Sequence, residues 1–184
     1  MVANFKPITA EEFARRIVEQ ENADRLFELI NGEMVEKVPT QLHALIANFL
    51  NAILFLYLQK KPIGWAFSEL RIKLPDDDLN DRIPDIAVVL REGRVLDPNA
   101  PLSHMPDLAI EIQSPDQSDK LMTDKAAYYL ANGARIVWII YPTKRLVEVL
   151  TLTDRKLLTE TSTLDGGDLL PEFTLPVHDI FALQ

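Results

Sequence analysis

The sequence predicts one domain of the α/β (α+β) class, with helices flanking a mixed central β-sheet. Asn31-Gly32 between apolar-rich runs at 25–30 and 33–38 predicts an N-terminal β-hairpin. Residues 107–141 have the pattern strand, helix, strand, which is long enough for a right-handed parallel crossover. Antiparallel and parallel connections together indicate a mixed sheet, and the length fits a single domain over 1–184.

The first half of the chain carries two helix signals. Thr9 with Glu12 three residues later forms a capping box for a helix over about 9–21. The apolar run from Leu42 to Leu58 predicts a second helix over about 41–59. It is slightly short for a bilayer span and better interpreted as a buried helix, because polar residues interrupt it: His43, Asn48 and Asn51.

The second half alternates strands with one further helix. Strands are predicted at 64–73, 85–90, 107–113, 135–141 and 146–152, with an edge strand at 156–160. A helix at about 117–132 ends at Asn132-Gly133. The polar stretches 75–83 and 91–106 predict loops, and the tail 169–181 is expected to pack without regular structure or with one short turn.

Composition limits the function classes. The formal net charge of −9 argues against broad attraction to nucleic acid or to an anionic membrane, although a local basic site is compatible with it. The absence of cysteine excludes disulfides and thiolate zinc sites, and three scattered histidines argue against a histidine-rich metal site. Residues 1–13 lack the apolar core of a signal peptide, so we expect a cytoplasmic protein without membrane association.

Two polar residues break the pattern of the strand at 107–113. Glu111 and Gln113 share one face of that strand, where a helix-covered central strand is expected to be apolar. An edge strand with one wet face explains them equally well. On the following helix, Lys125 lies in the centre of the apolar stripe, where a buried ammonium needs a partner unless it extends past the tyrosines to solvent. The two anomalies explain each other if Lys125 reaches the carboxylate face of the strand.

Asp85 follows Pro84 at the start of an apolar strand, where a simple turn aspartate is the commoner case. Together with Glu111 and Lys125, however, it makes a recognisable chemical unit. One or two carboxylates with waters and substrate phosphates usually hold Mg²⁺, and a lysine can orient water or stabilise negative charge.

The sequence resembles the Uma2 family (DUF820) of the PD-(D/E)xK nuclease superfamily, which has a restriction-endonuclease-like fold. The resemblance covers nearly the whole chain, at 26–39, 82–89, 106–142 and 169–181. It implies that Asp85 and Glu111 are the motif carboxylates and bind Mg²⁺ (or Mn²⁺). The third motif position is Gln113 instead of lysine, and Lys125 of the next helix is the candidate to supply the cation.

A further acidic residue often comes from the helix before the core hairpin of such folds, but helix 41–59 has no Asp or Glu. Glu28 and Glu33 are alternatives, because the two-residue turn puts both on one face of the hairpin. A solvated face explains two such carboxylates more often than a site does. The family-like context of Glu33 makes it the candidate of the two.

The leading hypothesis is a Mg²⁺-dependent endonuclease that hydrolyses phosphodiester bonds of DNA, with Gln113 bonding a phosphate, the water or Lys125. The alternative is a nuclease-fold binding or assembly module with weak or no cleavage, and a third is cleavage of another phosphoester. A homodimer is expected if the strands at 135–141 and 146–152 expose apolar surface. DNA would meet a local basic patch, which is expected to draw on Arg71, Lys73, Arg82 and Lys125.

Overall fold

The structure, a computed structural model, describes residues 6–92 and 94–182. The first five residues, part of the N-terminal stretch assessed for a signal peptide, lie outside the described residues. The described chain forms two compact units. The first contains the residues up to Val38 with Arg71–Ile83 and Asp97–His104, and the second contains Pro39–Leu70, Pro84–Leu96 and the residues from Met105 onward. The single domain over 1–184 stays a prediction.

The first unit confirms the N-terminal signals. Helix α1 (Ala10–Arg16) begins after Thr9, whose hydroxyl accepts a hydrogen bond from the Glu12 N–H, and it ends earlier than expected, before a 3₁₀ turn at Gln20–Asn22. Strands β1 (Phe27–Ile30) and β2 (Glu33–Glu36) form the predicted antiparallel hairpin with Ile30 opposite Glu33. Asn31 and Gly32 both have positive φ, 51° and 81°, as a two-residue hairpin turn of this hand requires.

The second unit is built on a six-stranded mixed sheet in the order β3-β4-β5-β6-β7-β8. Only the β5–β6 pair is parallel among the neighbours of this sheet, and the other pairs are antiparallel. The bounds are β3 Gly64–Ser68, β4 Ile86–Leu90, β5 Leu108–Ile112, β6 Ile136–Tyr141, β7 Leu146–Leu150 and β8 Arg155–Leu158. β3 is shorter than the predicted 64–73, because the chain leaves extended geometry at Glu69, where φ is 50°.

Two longer helices belong to the second unit. α2 (Gln41–Lys60) buries one stripe of apolar side chains in the same core as Ile110 and Ile112 of β5. α3 (Asp119–Ala131) connects β5 to β6, and these two strands are parallel as predicted. Side chains alternate along β5, so α3 contacts the opposite face, which carries Glu111.

Helix α2 is buried on one face only. Leu45, Phe55 and Leu56 on its other face are exposed. Among residues 6–92 and 94–182, α2 is the one helix long and apolar enough to cross a bilayer by length and composition, a test that core helices of soluble proteins also pass.

The C-terminal tail corrects one expectation. It forms an antiparallel pair, β9 (Thr163–Gly166) and β10 (Leu170–Pro176), followed by α4 (Val177–Phe181). The alternation of buried and exposed residues in β10 is interrupted by a register shift between Leu170 and Thr174, which hides the strand pattern in the sequence. Phe173 and Phe181 join the main apolar core of the unit.

Strands β6 and β7 lie between β5 and β8, and their residues are buried or half-buried. The exposed apolar surface that would have favoured a dimer is therefore not found on β6 and β7, although Leu152, in the predicted strand 146–152 but beyond the end of β7, is exposed. The homodimer itself stays a prediction.

Candidate functional site

Asp85 and Glu111 lie side by side at one end of the neighbouring strands β4 and β5, in the middle of the six-stranded sheet. β4 and β5 are antiparallel with Ile86 opposite Ile110, so Asp85, one residue before β4, is level with Glu111. Both carboxylates are buried, with 4% and 2% of the residue surface exposed. β5 is a central strand and not an edge strand, so the wet-face explanation of Glu111 is wrong.

The Asp85 carboxylate is held from two directions. Its Oδ2 accepts a hydrogen bond from the backbone N–H of Ile112 at 2.7 Å and lies 3.0 Å from Nε2 of His43, in the first turn of α2. The carboxylate can only accept, so the bonding pattern assigns the proton to Nε2. The Asp85 side chain thus accepts a hydrogen bond that a backbone carbonyl of β4 would accept if the β4–β5 ladder continued. Asp85 is more than a simple turn residue.

Glu111 is bonded through both carboxylate oxygens. Oε2 lies 3.1 Å from Nζ of Lys125, and Oε1 accepts a hydrogen bond of 2.6 Å from the hydroxyl of Tyr129. Lys125 is only 2% exposed, so the ammonium does not extend to solvent. The prediction that Lys125 reaches the carboxylate face of β5 is confirmed. Tyr129 was missed as a partner, although it lies one helical turn after Lys125 on the same stripe.

Gln113 makes different contacts from those expected. Its Nε2 donates to the carbonyl oxygen of Gln117 and to Oδ1 of Asp119, both at 3.0 Å. The Asp119 carboxyl has a lowered pKa, because Lys144 and then Gln113 donate hydrogen bonds to its charged form. Gln113 therefore fastens the loop between β5 and α3, and the expected bond to Lys125 is not among its contacts. A bond from Gln113 to phosphate or water stays a prediction.

The hairpin glutamates belong to the first unit. Glu33 is exposed and Glu28 is buried, although both were expected on one solvated face. That expectation is wrong for Glu28, which is only 1% exposed. Asp85, Glu111, Gln113 and Lys125 all belong to the second unit. A site role for Glu33 stays a prediction.

A cavity of about 210 Å³ opens beside Asp85. Its wall contains His43, Asn48 and Glu69, together with the small side chains of helix α2. His43 and Asn48 are two of the polar residues that interrupt the apolar run of this helix in the sequence. Glu69 was missed, because nothing in the sequence marks the turn at which it lies. Its N–H donates to the Asp85 carbonyl at 3.1 Å and its φ is 50°, a conformation that is uncommon for a non-glycine residue.

The side chains at this end of the strands fit a hard divalent cation. Within residues 6–92 and 94–182, no group of three or more His, Asp or Glu side chains is arranged to hold a metal. Mg²⁺ does not require such a group, because one or two carboxylates with waters and substrate phosphates suffice. Asp85 and Glu111 are two carboxylates of this kind, placed opposite each other where β4 begins and β5 ends.

The predicted basic patch does not form as expected. Arg71 binds Asp81 through two nitrogens at 2.8 and 2.7 Å, and Arg82 is buried. Lys73 donates to backbone carbonyls in its own loop, and Lys125 is buried against Glu111. Intramolecular partners thus occupy or cover these cations. Their sequence positions gave no sign of this.

The six-stranded mixed sheet with its flanking helices has the architecture of a solved protein of nuclease type. A crystal structure described as a "putative nuclease belonging to DUF820" from Anabaena variabilis ATCC 29413 matches with a TM-score of 0.81 and 26% sequence identity, over 96% of this chain and 99% of that one. The sequence profile of Uma2, described as "Putative restriction endonuclease", matches residues 10–178. The chain belongs to the Uma2 family. No curated protein matches it in sequence.

Proposed function

We propose that this protein is a Mg²⁺-dependent endonuclease that hydrolyses phosphodiester bonds of DNA. The observation that carries the proposal is the side-by-side placement of Asp85 and Glu111, with the Lys125 ammonium 3.1 Å from Glu111. Membership of a family described as "Putative restriction endonuclease", a class that generally uses divalent metal ions, supports it.

In this proposal Asp85 and Glu111 hold the ion, and the remaining residues orient them. When bound, the cation polarises the scissile phosphoryl group and lowers the pKa of a bound water. His43 and the Ile112 N–H fix the Asp85 carboxylate, and Tyr129 fixes Glu111. Such hydrogen bonds behind the ligands set their direction.

Lys125 supplies the positive charge that Gln113 lacks. Its ammonium is excluded from water, so it acts at a lower effective dielectric than a surface lysine would. We propose that its charge, acting from behind the Glu111 carboxylate that it pairs with, stabilises the negative charge that develops on the phosphoryl oxygens. Gln113 contributes by holding the loop that leads into α3.

Cleavage of duplex DNA with Mg²⁺ or Mn²⁺, and with the metal chelated, tests the proposal. Asp85→Asn, Glu111→Gln and Lys125→Met should each lower the rate about 100-fold or more, as removal of a charge-stabilising group does. The matched control is Glu148→Gln. Glu148 is also a buried glutamate, bonded to the hydroxyl of Tyr141 at 2.9 Å and to Arg155, and it should retain activity. Equal activity in all variants would mean a contaminant or a different site.

The second candidate is a nuclease-fold binding or assembly module. Two observations favour it: both Glu111 oxygens already have protein partners, and Gln113 is engaged in its loop. Calorimetric titration with Mg²⁺ separates the two candidates. Lack of binding near millimolar metal with the fold intact would support the module, and binding that Asp85→Asn abolishes would support the enzyme.

A further inference from the structure

A different group of cations lies at the far end of β4 from Asp85. Lys60 at the end of α2 and Arg91 directly after β4 are both exposed. Within residues 6–92 and 94–182, neither forms an ion pair with a carboxylate. In a chain with a net charge of −9, two unpaired cations on neighbouring elements form a local exception.

Arg91 lines a cavity of about 190 Å³ with aromatic walls, and Gln59, the residue before Lys60, lines it too. The guanidinium carbon of Arg91 lies 4.8 Å above the centre of the Trp65 ring, and Phe55 of α2 is 53% exposed at the same cavity. Gly64 also lines it, and a Cβ there would lie 2.6 Å from the carbonyl oxygen of Val89. A residue larger than glycine would therefore push β3 away from β4 and disturb the cavity.

We propose that this cavity is a nucleotide subsite, separate from the Asp85–Glu111 pair, that binds one nucleotide of a nucleic-acid strand. The base stacks on the outer face of the Arg91 guanidinium beside Phe55, and the phosphate bonds Arg91 and Lys60. Stacking on planar groups is tolerant of base identity, and the unpaired cations complement the phosphate charge. The contact with Trp65 holds Arg91 in place, so less side-chain entropy is lost on binding.

The choice of a nucleic-acid strand as the ligand of this subsite rests on the proposed function. The length of β4 sets the distance between the subsite and Asp85. Asp85 and Arg91 flank the same extended strand and are six positions apart, or about 20 Å at about 3.3 Å per residue. A stacked strand advances about 3.4 Å per nucleotide, so about six nucleotides separate the two sites. A 12-mer can reach both sites and a 4-mer cannot, so loss of the subsite should remove most of the difference in affinity between the two lengths.

Trp65 provides a direct readout, because the chain has only two tryptophans and Trp138 is fully buried. In Trp138→Phe protein, with divalent metal chelated, a dT 12-mer should quench Trp65 emission. Arg91→Gln in that background should weaken binding about tenfold and reduce the slope of log K against log salt by about 0.7, the value for one single-strand phosphate contact. Arg15→Gln removes an equal charge from an exposed arginine in the first unit and should change neither value.

If Trp138→Phe does not fold, anisotropy of a labelled 12-mer with otherwise unaltered protein, Arg91→Gln and Arg15→Gln gives the same comparison. The subsite is overturned if Arg91→Gln weakens binding no more than Arg15→Gln does. It is also overturned if Trp65 emission depends on protein concentration without oligonucleotide, because this face would then be an interface between copies of the chain. Failure of the proposed function is a separate result, namely absent cleavage with Mg²⁺ or Mn²⁺. Quenching without cleavage leaves the subsite supported and the endonuclease contradicted.

Discussion

Replacing Lys125 with methionine tests how the buried pair with Glu111 is maintained. Methionine has nearly the length of lysine, so the change removes a charge and little volume. Lys125 and Glu111 are each 2% exposed and 3.1 Å apart. Breaking a buried ion pair leaves one uncompensated charge and costs about 3–5 kcal/mol. We expect a loss near the lower figure, because the Tyr129 hydroxyl still donates to Glu111.

The double variant Lys125→Met with Glu111→Gln separates charge from packing. The amide still accepts the Tyr129 hydrogen bond and carries no charge, so the double variant should be at least about 1 kcal/mol more stable than the single one. As a comparison, Arg155→Met should cost less than Lys125→Met, because Arg155 is 61% exposed and only its partner Glu148 is buried, where the Tyr141 hydroxyl still donates to it.

Urea unfolding followed by circular dichroism measures these free energies, with the slope m checked for each variant. A loss below about 1 kcal/mol for Lys125→Met would refute the reasoning, because an uncompensated buried carboxylate cannot be so inexpensive. A double variant no more stable than the single one would also refute it, since packing and not charge would then account for the loss.

Three further predictions concern the same unit. Asp85→Ala should destabilise the fold by about 1–3 kcal/mol because it leaves the Ile112 N–H without an acceptor, and Asp85→Asn should cost less; urea unfolding of both variants compares them. Burial and then the hydrogen bond to Glu148 raise the pKa of Tyr141. The contribution of Tyr141 to the free energy of unfolding should therefore be constant below pH 10 and fall above it. Unfolding curves taken between pH 9 and 11 should show this fall, and Tyr141→Phe should lose it. Gly64→Ala should cost about 1–3 kcal/mol in thermal unfolding, because its Cβ would meet the opposite strand; an unchanged melting temperature would contradict this.

Local signals in the sequence were sufficient where a few neighbouring residues determine the backbone. Asn31-Gly32 determines a turn whose two φ angles must be positive, and the hairpin register follows from it. Thr9 and Thr40 accept hydrogen bonds from N–H groups three residues later, so both helix starts depend on local chemistry. The tail was the exception, since its strands are defined by a partner and a register shift and not by a regular pattern.

The pairing of Lys125 with Glu111 was predictable because each residue violates the pattern of its own element. A carboxylate on a covered strand and an ammonium in an apolar stripe both need partners, and the connection between β5 and α3 is short enough to bring them together. Gln113 gave no comparable signal. A glutamine can bond backbone or side chains in many directions, and its choice of Asp119 depends on the path of the loop.

The sequence by itself thus determined the order of the main elements, the hairpin register and the residues that had to find partners, because those follow from backbone periodicity and the cost of burying charge. Tertiary structure decided which distant groups meet. His43 and Asp85 are 42 positions apart, and only the packing of α2 beside the sheet brings Nε2 to the carboxylate. Tertiary structure also gave partners within the chain, such as Asp81 for Arg71, to the cations that were expected to bind DNA, and it placed Arg91 over Trp65 without a carboxylate partner. Such contacts depend on three-dimensional proximity that no short sequence pattern records.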